Sequence, residues 1–593
     1  MRGRTGDAAD GERSITAVCG FMGRIGGRFD AERALPWLRR RGPDSQNTWH
    51  TDNGAVNLLH CRLSIVDEDS RSDQPFRDPR HGIVVVLNGE IYNYRGLRRH
   101  YADFAFRTES DTEVVVAAYV KDGIAGFNRL DGMFSFVLVD ERRGRVVLAR
   151  DSVGKKPLFT FSFPGSLLFG SSLLPLVACS GAAPSIDAAA AAFYWRRGYV
   201  SPDISAVSGI RPVPPGTVLE FDERGNELSR SRIEAETPAL YRGESATEIK
   251  RTIHDLLAQA VNYRLENNPH PMALLSGGID STLITQLTAD RLKRTGDDRS
   301  FNVITLGSMI PYTQDEYYAR YAAKRLGLTL EVVRPGHQRL PDVIRRAVSL
   351  QDEPLGMPSY FFLFQLIEAA APFGKVLLTG DGGDEVFLGY RAAADWRSHE
   401  LAPGDESSTV RVGPGESPWM GSWARDVTGN TLLGHMFTKV DRASAEQGVE
   451  IRCPLLDLSL MSYVRSLPPE ILCGHLPLKY LLKEQLDGWP AWFVERPKLG
   501  FAYNLRWHWA LTRFAGLREM VSANAMATFG NSVPPPLRAT PMAWRTLDIF
   551  HHFGDAWRLM VWSAFLGRLA EAARLSCSTA SAVEIGQRSA VGA

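Results

Sequence analysis

Nowhere in this sequence does an apolar run approach the ~18 residues that a membrane-crossing helix needs. The stretch Met1 to Val18 is polar and mixed in charge and lacks the apolar centre of a secretory signal. Cysteine is scarce, with 6 scattered over 593 residues. That excludes a disulfide framework and fits a reducing cytoplasm, where a cysteine that matters acts as a thiol. Net charge is nearly absent too. The 68 Lys and Arg against 67 Asp and Glu leave +1, so nothing electrostatic argues for nucleic acid or an anionic membrane as partner. Low-complexity tracts and internal repeats are also missing. What remains, 44% hydrophobic and 23% charged, is a globular composition long enough for roughly two to four domains.

The first two hundred or so residues read as β-rich. Gly82–Leu87, Met133–Val139 and Arg145–Ala149 are short apolar runs bounded by turn residues, with helices expected at Asp111–Lys121 and near Ala31–Arg40. Pro212–Gly216 is turn-rich punctuation and 233–243 reads as a linker. Ser245 and Glu248 then form a capping box ahead of Ile249, Ile253, Leu256, Leu257, Ala260 and Val261, which repeat at helical spacing. Beyond it strands and helices alternate: Met272–Leu275, a helix after Asp280, Phe301–Leu306, a helix over Asp315–Leu326, Leu328–Val333 and Val376–Thr379. Alternation of this kind predicts a parallel sheet covered on both faces, with ligands at the carboxyl ends of its strands. The chain divides into an extension (1–18), a first domain (19–232), the linker (233–243), a second domain (244–575) and a disordered tail (576–593).

Two glycine-rich loops leave strands of the second domain. The first, Ser276-Gly277-Gly278-Ile279-Asp280-Ser281, runs straight into a helix. Its glycines let the backbone fold against an anion, the helix start points N–H groups at it, and the hydroxyls of Ser276 and Ser281 add donors. Asp280 can hold a magnesium ion that neutralises phosphate. The loop lacks the lysine of the GxxxxGK[ST] motif, which suits gripping pyrophosphate rather than a transferred γ-phosphate. The second, Thr379-Gly380-Asp381-Gly382-Gly383-Asp384-Glu385, packs three carboxylates among glycines, an arrangement that calls for a compensating cation.

These loops, followed by Lys439–Asp457 (KVDRASAEQGVEIRCPLLD) and Arg496–Phe501 (RPKLGF), stand in the order of the synthetase domain of the asparagine synthetase B family, which this chain resembles. The resemblance implies an ATP site in which Ser276, Gly277, Gly278, Asp280 and Ser281 hold pyrophosphate. Leu275, Leu306, Thr379 and Gly380 surround the adenosine, and Asp280 and Asp384 hold Mg2+. It also implies that Asp381 lies near the attacking ammonia and Lys498 beside the reacting phosphate, where negative charge builds up.

The amino-terminal part carries the matching glutaminase motifs. Cys19-Gly20-Phe21, Arg41–Asp44 (RGPD), Arg62-Leu63-Ser64-Ile65-Val66, Asn88–Asn93 (NGEIYN) and Glu109–Glu113 (ESDTE) resemble those of the N-terminal-nucleophile amidotransferases. Cys19 alone would read as a buried structural thiol; its setting makes it the nucleophile that splits amide hydrolysis into acylation and deacylation. Arg62 suits the α-carboxylate of glutamine and Asp111 its α-ammonium, while Asn88 and the Gly89 N–H suit the oxyanion. By the same resemblance, Leu63, Ser64, Ile65, Val66 and Glu90 complete the glutamine site. The expected fold is an αββα-sandwich glutaminase of the Ntn type followed by a doubly wound, Rossmann-like parallel-sheet synthetase. The expected reaction is amidation of a small carboxylic acid, aspartate by default. Homodimerisation is a family expectation.

Two departures stand out. In the family the cysteine is the first residue and its own α-amine is the base, whereas here 18 residues precede it. Propeptide cleavage, ammonia as the donor, or initiation at Val18 followed by methionine removal would each resolve this; the last needs no new protease. In Phe169–Val177 (FGSSLLPLV) the family's usual glutamate after a serine is absent, and the stretch is expected at the contact between the halves. The rival readings are a β-lactam-synthetase-like cyclase, disfavoured by Cys19 and Asp381, amidation of another carboxylic acid, and an inactive assembly subunit. The loop after Gln351–Pro354 and the insertion 392–430 are the candidates for shaping the acceptor pocket.

Overall fold

The apolar run around Gly82–Leu87 shows no polar face because neither of its faces meets water. Val84 and Val86 point into one core with Phe21, Leu58, Val137 and Leu148, while Ile83, Val85 and Leu87 point into another with Val114, Val115 and Phe136. The computed structural model describes residues 19–65, 67, 69–234, 240–266, 268–307, 314–334, 340–390, 432–445, 447–472, 477–496 and 549–577. The extension 1–18, the insertion 392–430, Val66, Lys498 and residues 578–593 lie outside the described residues.

The amino-terminal strands are β1 (Gly20–Ile25), β2 (Ser45–His50), β3 (Val56–Arg62), β4 (Phe76–Asp78), β5 (Ile83–Ile91), β6 (Gly132–Asp140), β7 (Arg145–Arg150), β8 (Phe159–Phe163), β9 (Ser166–Gly170), β10 (Ile210–Pro212), β11 (Thr217–Asp222) and β12 (Glu227–Arg232). They form two six-stranded antiparallel sheets, ordered β10-β8-β9-β1-β3-β2 and β12-β11-β7-β6-β5-β4. The sheets face each other, helix Thr112–Asp122 covers the outside of one, and helices Ala31–Leu38 and Leu173–Ala178 cover the other. This is the expected αββα sandwich. Ile233, read as the start of the linker, is instead buried beside the sheet, and its N–H donates to the Gly216 carbonyl at 2.8 Å.

The second half opens with helix Ala246–Leu265, whose Ser245–Glu248 capping box is formed in both directions. Strands β13 (Met272–Leu274), β14 (Asn302–Leu306), β15 (Leu330–Val333), β16 (Val376–Leu378) and β17 (Glu450–Arg452) make a parallel sheet ordered β15-β14-β13-β16-β17. The chain moves outward from β13 to β15 and then returns to the other side of β13 as β16. The order therefore reverses between β13 and β16, the point at which such sheets open a crevice for ligand. Both glycine-rich loops leave the sheet there.

A helix over Ile549–Cys577, absent from the sequence expectations, packs against helices Leu173–Ala178 and Leu340–Ser349. Trp557, Met560, Trp562, Phe565 and Leu569 are all buried, so it has no polar stripe to betray it. It takes in the first two residues read as the tail. No helix among the described residues is long and apolar enough to cross a membrane.

Candidate active sites

Cys19 lies immediately before β1, whose Gly20 pairs with Cys61 of β3, and this register brings the thiol beside Arg62 and Leu63. The Leu63 N–H points at Cys19 Sγ from 3.4 Å. Burial pushes the thiol up to about 11, against the pull of that N–H and of Arg62, so it is neutral near pH 7 and needs a base when it attacks. The thiol opens on a cleft lined also by Arg62, Leu63, Ile65, Gly89, Glu90 and Asp111. Asp73 fixes the Arg62 guanidinium at 2.6 Å and the Asp67 carbonyl accepts from its other arm. Asp111 accepts from the Ile91 N–H at 2.9 Å, and burial raises its carboxyl to about 6. Its loop is pinned by Glu113, which accepts from the N–H groups of Arg107 and Thr108 and from the Thr108 hydroxyl.

Asn88 sits behind the cleft with no exposed surface and no hydrogen-bond partner on either end of its amide. At Gly89, φ is +131° and a Cβ would stand 1.9 Å from the Met133 carbonyl oxygen, so only glycine fits. A buried donor without a partner, next to a backbone N–H that no side chain can cover, is a fitting cradle for a transient oxyanion. Ser64 is the exception among the expected residues. Its N–H donates to Asp44 and its carbonyl accepts from Lys375 of the second half at 3.0 Å, which puts it at the interface rather than in the cleft. Gln74, Ser110, Thr112 and Glu450 line the cleft without having been foreseen. Glu450 comes from β17 of the other half and lies in the Lys439–Asp457 motif, which the resemblance ties to the synthetase domain and not to this cleft.

At the switch point, the Ser276 and Ser281 hydroxyls lie 3.0 Å apart, and Ser276 Oγ also accepts from the Gly278 N–H. Gly277 has φ +73° and a Cβ there would strike the backbone of Ala319 at 2.5 Å. A Cβ on Gly380 would stand 2.6 Å from the Ser281 nitrogen, and one on Gly383 would stand 2.6 Å from the Asp280 carboxylate carbon. The two loops therefore touch, and their glycines are what permits it. Leu275 and Thr379 are buried at the base, with Leu306 at the end of the neighbouring β14. Asp381 is fixed by the Thr379 hydroxyl at 2.9 Å.

Asp280 and Asp384, the expected magnesium ligands, share one cation in the structure. Lys479 Nζ stands 2.6 Å from each carboxylate. Lys479 has φ +59°, unusual for a side chain of its size, and was not singled out in the sequence because it lies almost a hundred residues from Asp384 and 199 from Asp280. Among the described residues no group of three or more His, Cys, Asp and Glu side chains could hold a metal. Two hard carboxylate oxygens are, however, the donor chemistry magnesium takes when phosphates and waters supply the rest. Nearby, Arg496 stacks on the Tyr318 ring at 3.5 Å and donates to the Gly277 carbonyl.

The two sites belong to one packed body. Arg41 of RGPD makes two 3.0 Å bonds to Asp441, and Lys375 reaches Asp44 at 3.0 Å. Asp352 accepts from the N–H groups of Leu173 and Leu174, at the start of the FGSSLLPLV helix, and Glu353 accepts from the Ala206 N–H. The loop after Gln351–Pro354 continues this contact. Gly356 N–H donates to the Gly198 carbonyl at 2.7 Å, a further bond to the first half.

A family model described as a glutamine amidotransferase domain matches residues 18–231, and one described as asparagine synthase matches residues 252–531. Among similar proteins, amidase chry2 of Gibberella zeae is 29% identical over 391 residues, which cover 64% of this chain and 57% of that protein. Amidase chyE of Penicillium rubens is 27% identical, with 77% of this chain and 81% of that protein covered. Asparagine synthetase B (glutamine-hydrolyzing) of Escherichia coli is 26% identical, with 86% of each covered. With both matches in the order that the two halves present, the chain belongs to the asparagine synthetase family of ATP-dependent glutamine amidotransferases.

Proposed function

We propose that the chain releases ammonia from glutamine at Cys19 and uses it to amidate a carboxylic acid activated by ATP at the switch-point loops. The observation that carries this reading is that a thiol cleft backed by the orphaned Asn88 amide and a pair of touching glycine loops share one body. Glutamine binds through Arg62 and Asp111, and the thiol attacks the side-chain amide as the Cys19 α-amine takes its proton. The oxyanion is held by Asn88 and the Gly89 N–H, ammonia leaves, and water returns the thioester to thiol and glutamate. At the second site the acceptor carboxylate attacks the α-phosphorus of ATP, releasing pyrophosphate. Ammonia then displaces AMP from the acyl-adenylate, with Asp381 positioned to receive a proton. Asp280 and Asp384 would hold magnesium, which neutralises phosphate charge when bound. Lys498 is assigned the developing phosphate charge by its motif.

Aspartate is the first acceptor to test. A second reading, amidation of a different carboxylic acid, is favoured by two relatives that bear the name amidase. The domain division read from the sequence, with Ile233 joined to the first half and Ser576 and Cys577 to the last helix, is part of the same proposal. The test is C19A. It should lose glutamine-dependent amide formation by at least about 10³-fold and keep the ammonia-dependent reaction; loss of both, or of neither, would refute the assignment. The α-amine base requires that the Val18–Cys19 peptide bond be absent, so glutamine-using protein should have an intact mass beginning at Cys19.

A further inference from the structure

The glutamine cleft has one wall that does not come from its own half. Glu450 begins β17 in the parallel sheet, pairs with Val376 of β16, and donates its N–H to the Lys375 carbonyl at 2.6 Å. Its side chain then leaves the sheet and lines the cleft beside Cys19, Arg62 and Asp111. The carboxylate is 5% exposed; Oε1 accepts from Arg452 Nε at 2.9 Å, and Oε2 lies 4.0 Å from Lys156 Nζ. The same Arg452 guanidinium also pairs with Glu90. Three carboxylates (Glu90, Asp111 and Glu450) thus meet two cations (Arg452 and Lys156), while Arg62 is matched by Asp73. Burial raises the Glu90 carboxyl well above its usual range, which leaves Glu450 and Asp111 as the carboxylates of the cleft that can face an entering cation. The α-ammonium of an amino acid is such a cation.

Resting on the glutamine reading above, we propose that Glu450 is a specificity-determining residue of the glutamine site. It joins Asp111 in recognising the α-ammonium group, so the site is complete only with the synthetase sheet docked against it. A purely structural Glu450, which only ties Arg452 and hence the two halves together, would show no preference among ligands that differ in that group alone.

The test uses the chain beginning at residue 19, with both halves present and C19A in place, which cannot turn over ligand. It is titrated calorimetrically with glutamine and with glutaramate, the same molecule without its α-amino group. Adding E450Q should weaken glutamine by roughly tenfold or more, the size expected for one hydrogen bond to a charged group, and leave glutaramate within about twofold. D111N should show the same selective pattern. Equal losses for both ligands, or retention of glutamine affinity, would overturn the role of Glu450 while leaving the glutaminase reading intact. No glutamine binding by C19A itself would refute that reading and this inference with it. Should E450Q fail to fold by its melting profile, E450D, which keeps the charge but shortens the reach, carries the same comparison: selective loss supports the role and uniform loss overturns it.

Discussion

Asn88 keeps both ends of its amide buried and unsatisfied, which ordinarily costs about 1–3 kcal/mol. A cost of that kind persists at a site that uses the group only at the transition state. N88A should therefore lower kcat for glutamine hydrolysis by about 10²–10³-fold, with KM nearly unchanged and thermal stability equal or higher; a change confined to KM would contradict this. Asp111 carries a pH prediction. Its carboxyl is raised by burial to about 6, so it is charged above that pH and neutral below it. Between pH 5 and 7 glutamine itself keeps one zwitterionic form. Glutamine binding to the C19A protein should then weaken about tenfold per pH unit as pH falls below 6, and D111N should remove that limb. A flat profile with Asp111 intact would count against the assignment. Cys19, Arg62 and Asp111 were legible because each lies in a compact motif. Lys479 was not, because it acts on residues far along the chain and a lone Lys has no spacing to read; nor was Glu450, because its motif, Lys439–Asp457, belongs to the synthetase half.

At the scale of elements, the glycine loops were legible because strand, glycines and helix start follow one another without interruption. Long helices with a polar face, such as Ala246–Leu265, were legible too. Helix Ile549–Cys577 was missed because its buried positions, Trp557 and Leu559–Ser563 in succession, spread round the helix and blur the period. The three residues of β17 are too few to alternate visibly. Contact between the two loops also accounts for Lys479. Bringing Asp280 and Asp384 together at the switch point requires a cation, and the lysine provides it at 2.6 Å from each. K479M should lower stability by about 3–5 kcal/mol, since it leaves two inward-facing carboxylates uncompensated. Millimolar Mg2+ should raise the melting temperature of the variant more than that of the parent. An unchanged melting temperature in K479M would show that the pair is not held by this cation.

Across the whole molecule, one apolar core runs from Met22 and Leu59 of the first half to Leu455 and Trp562, so the halves are not beads on a linker. The Arg41–Asp441 pair crosses their boundary, with Arg41 also donating to the Cys19 carbonyl, and Arg442 holds Glu353, which accepts from the Ala206 N–H of the first half, so both motif arginines serve the docking. The order of motifs made the two-part architecture legible. The docking was not, because it depends on pairs hundreds of residues apart. The central claim is that glutamine nitrogen and ATP are joined on a carboxylic acid. The most direct measurement is AMP formation from Mg-ATP and glutamine, with and without aspartate and then a panel of other carboxylic acids, while assaying glutamate and the amide. The account predicts AMP, glutamate and amide in equal amounts, appearing only with an acceptor acid. Glutamine hydrolysis that never yields AMP with any acid, or ADP in place of AMP, would contradict it.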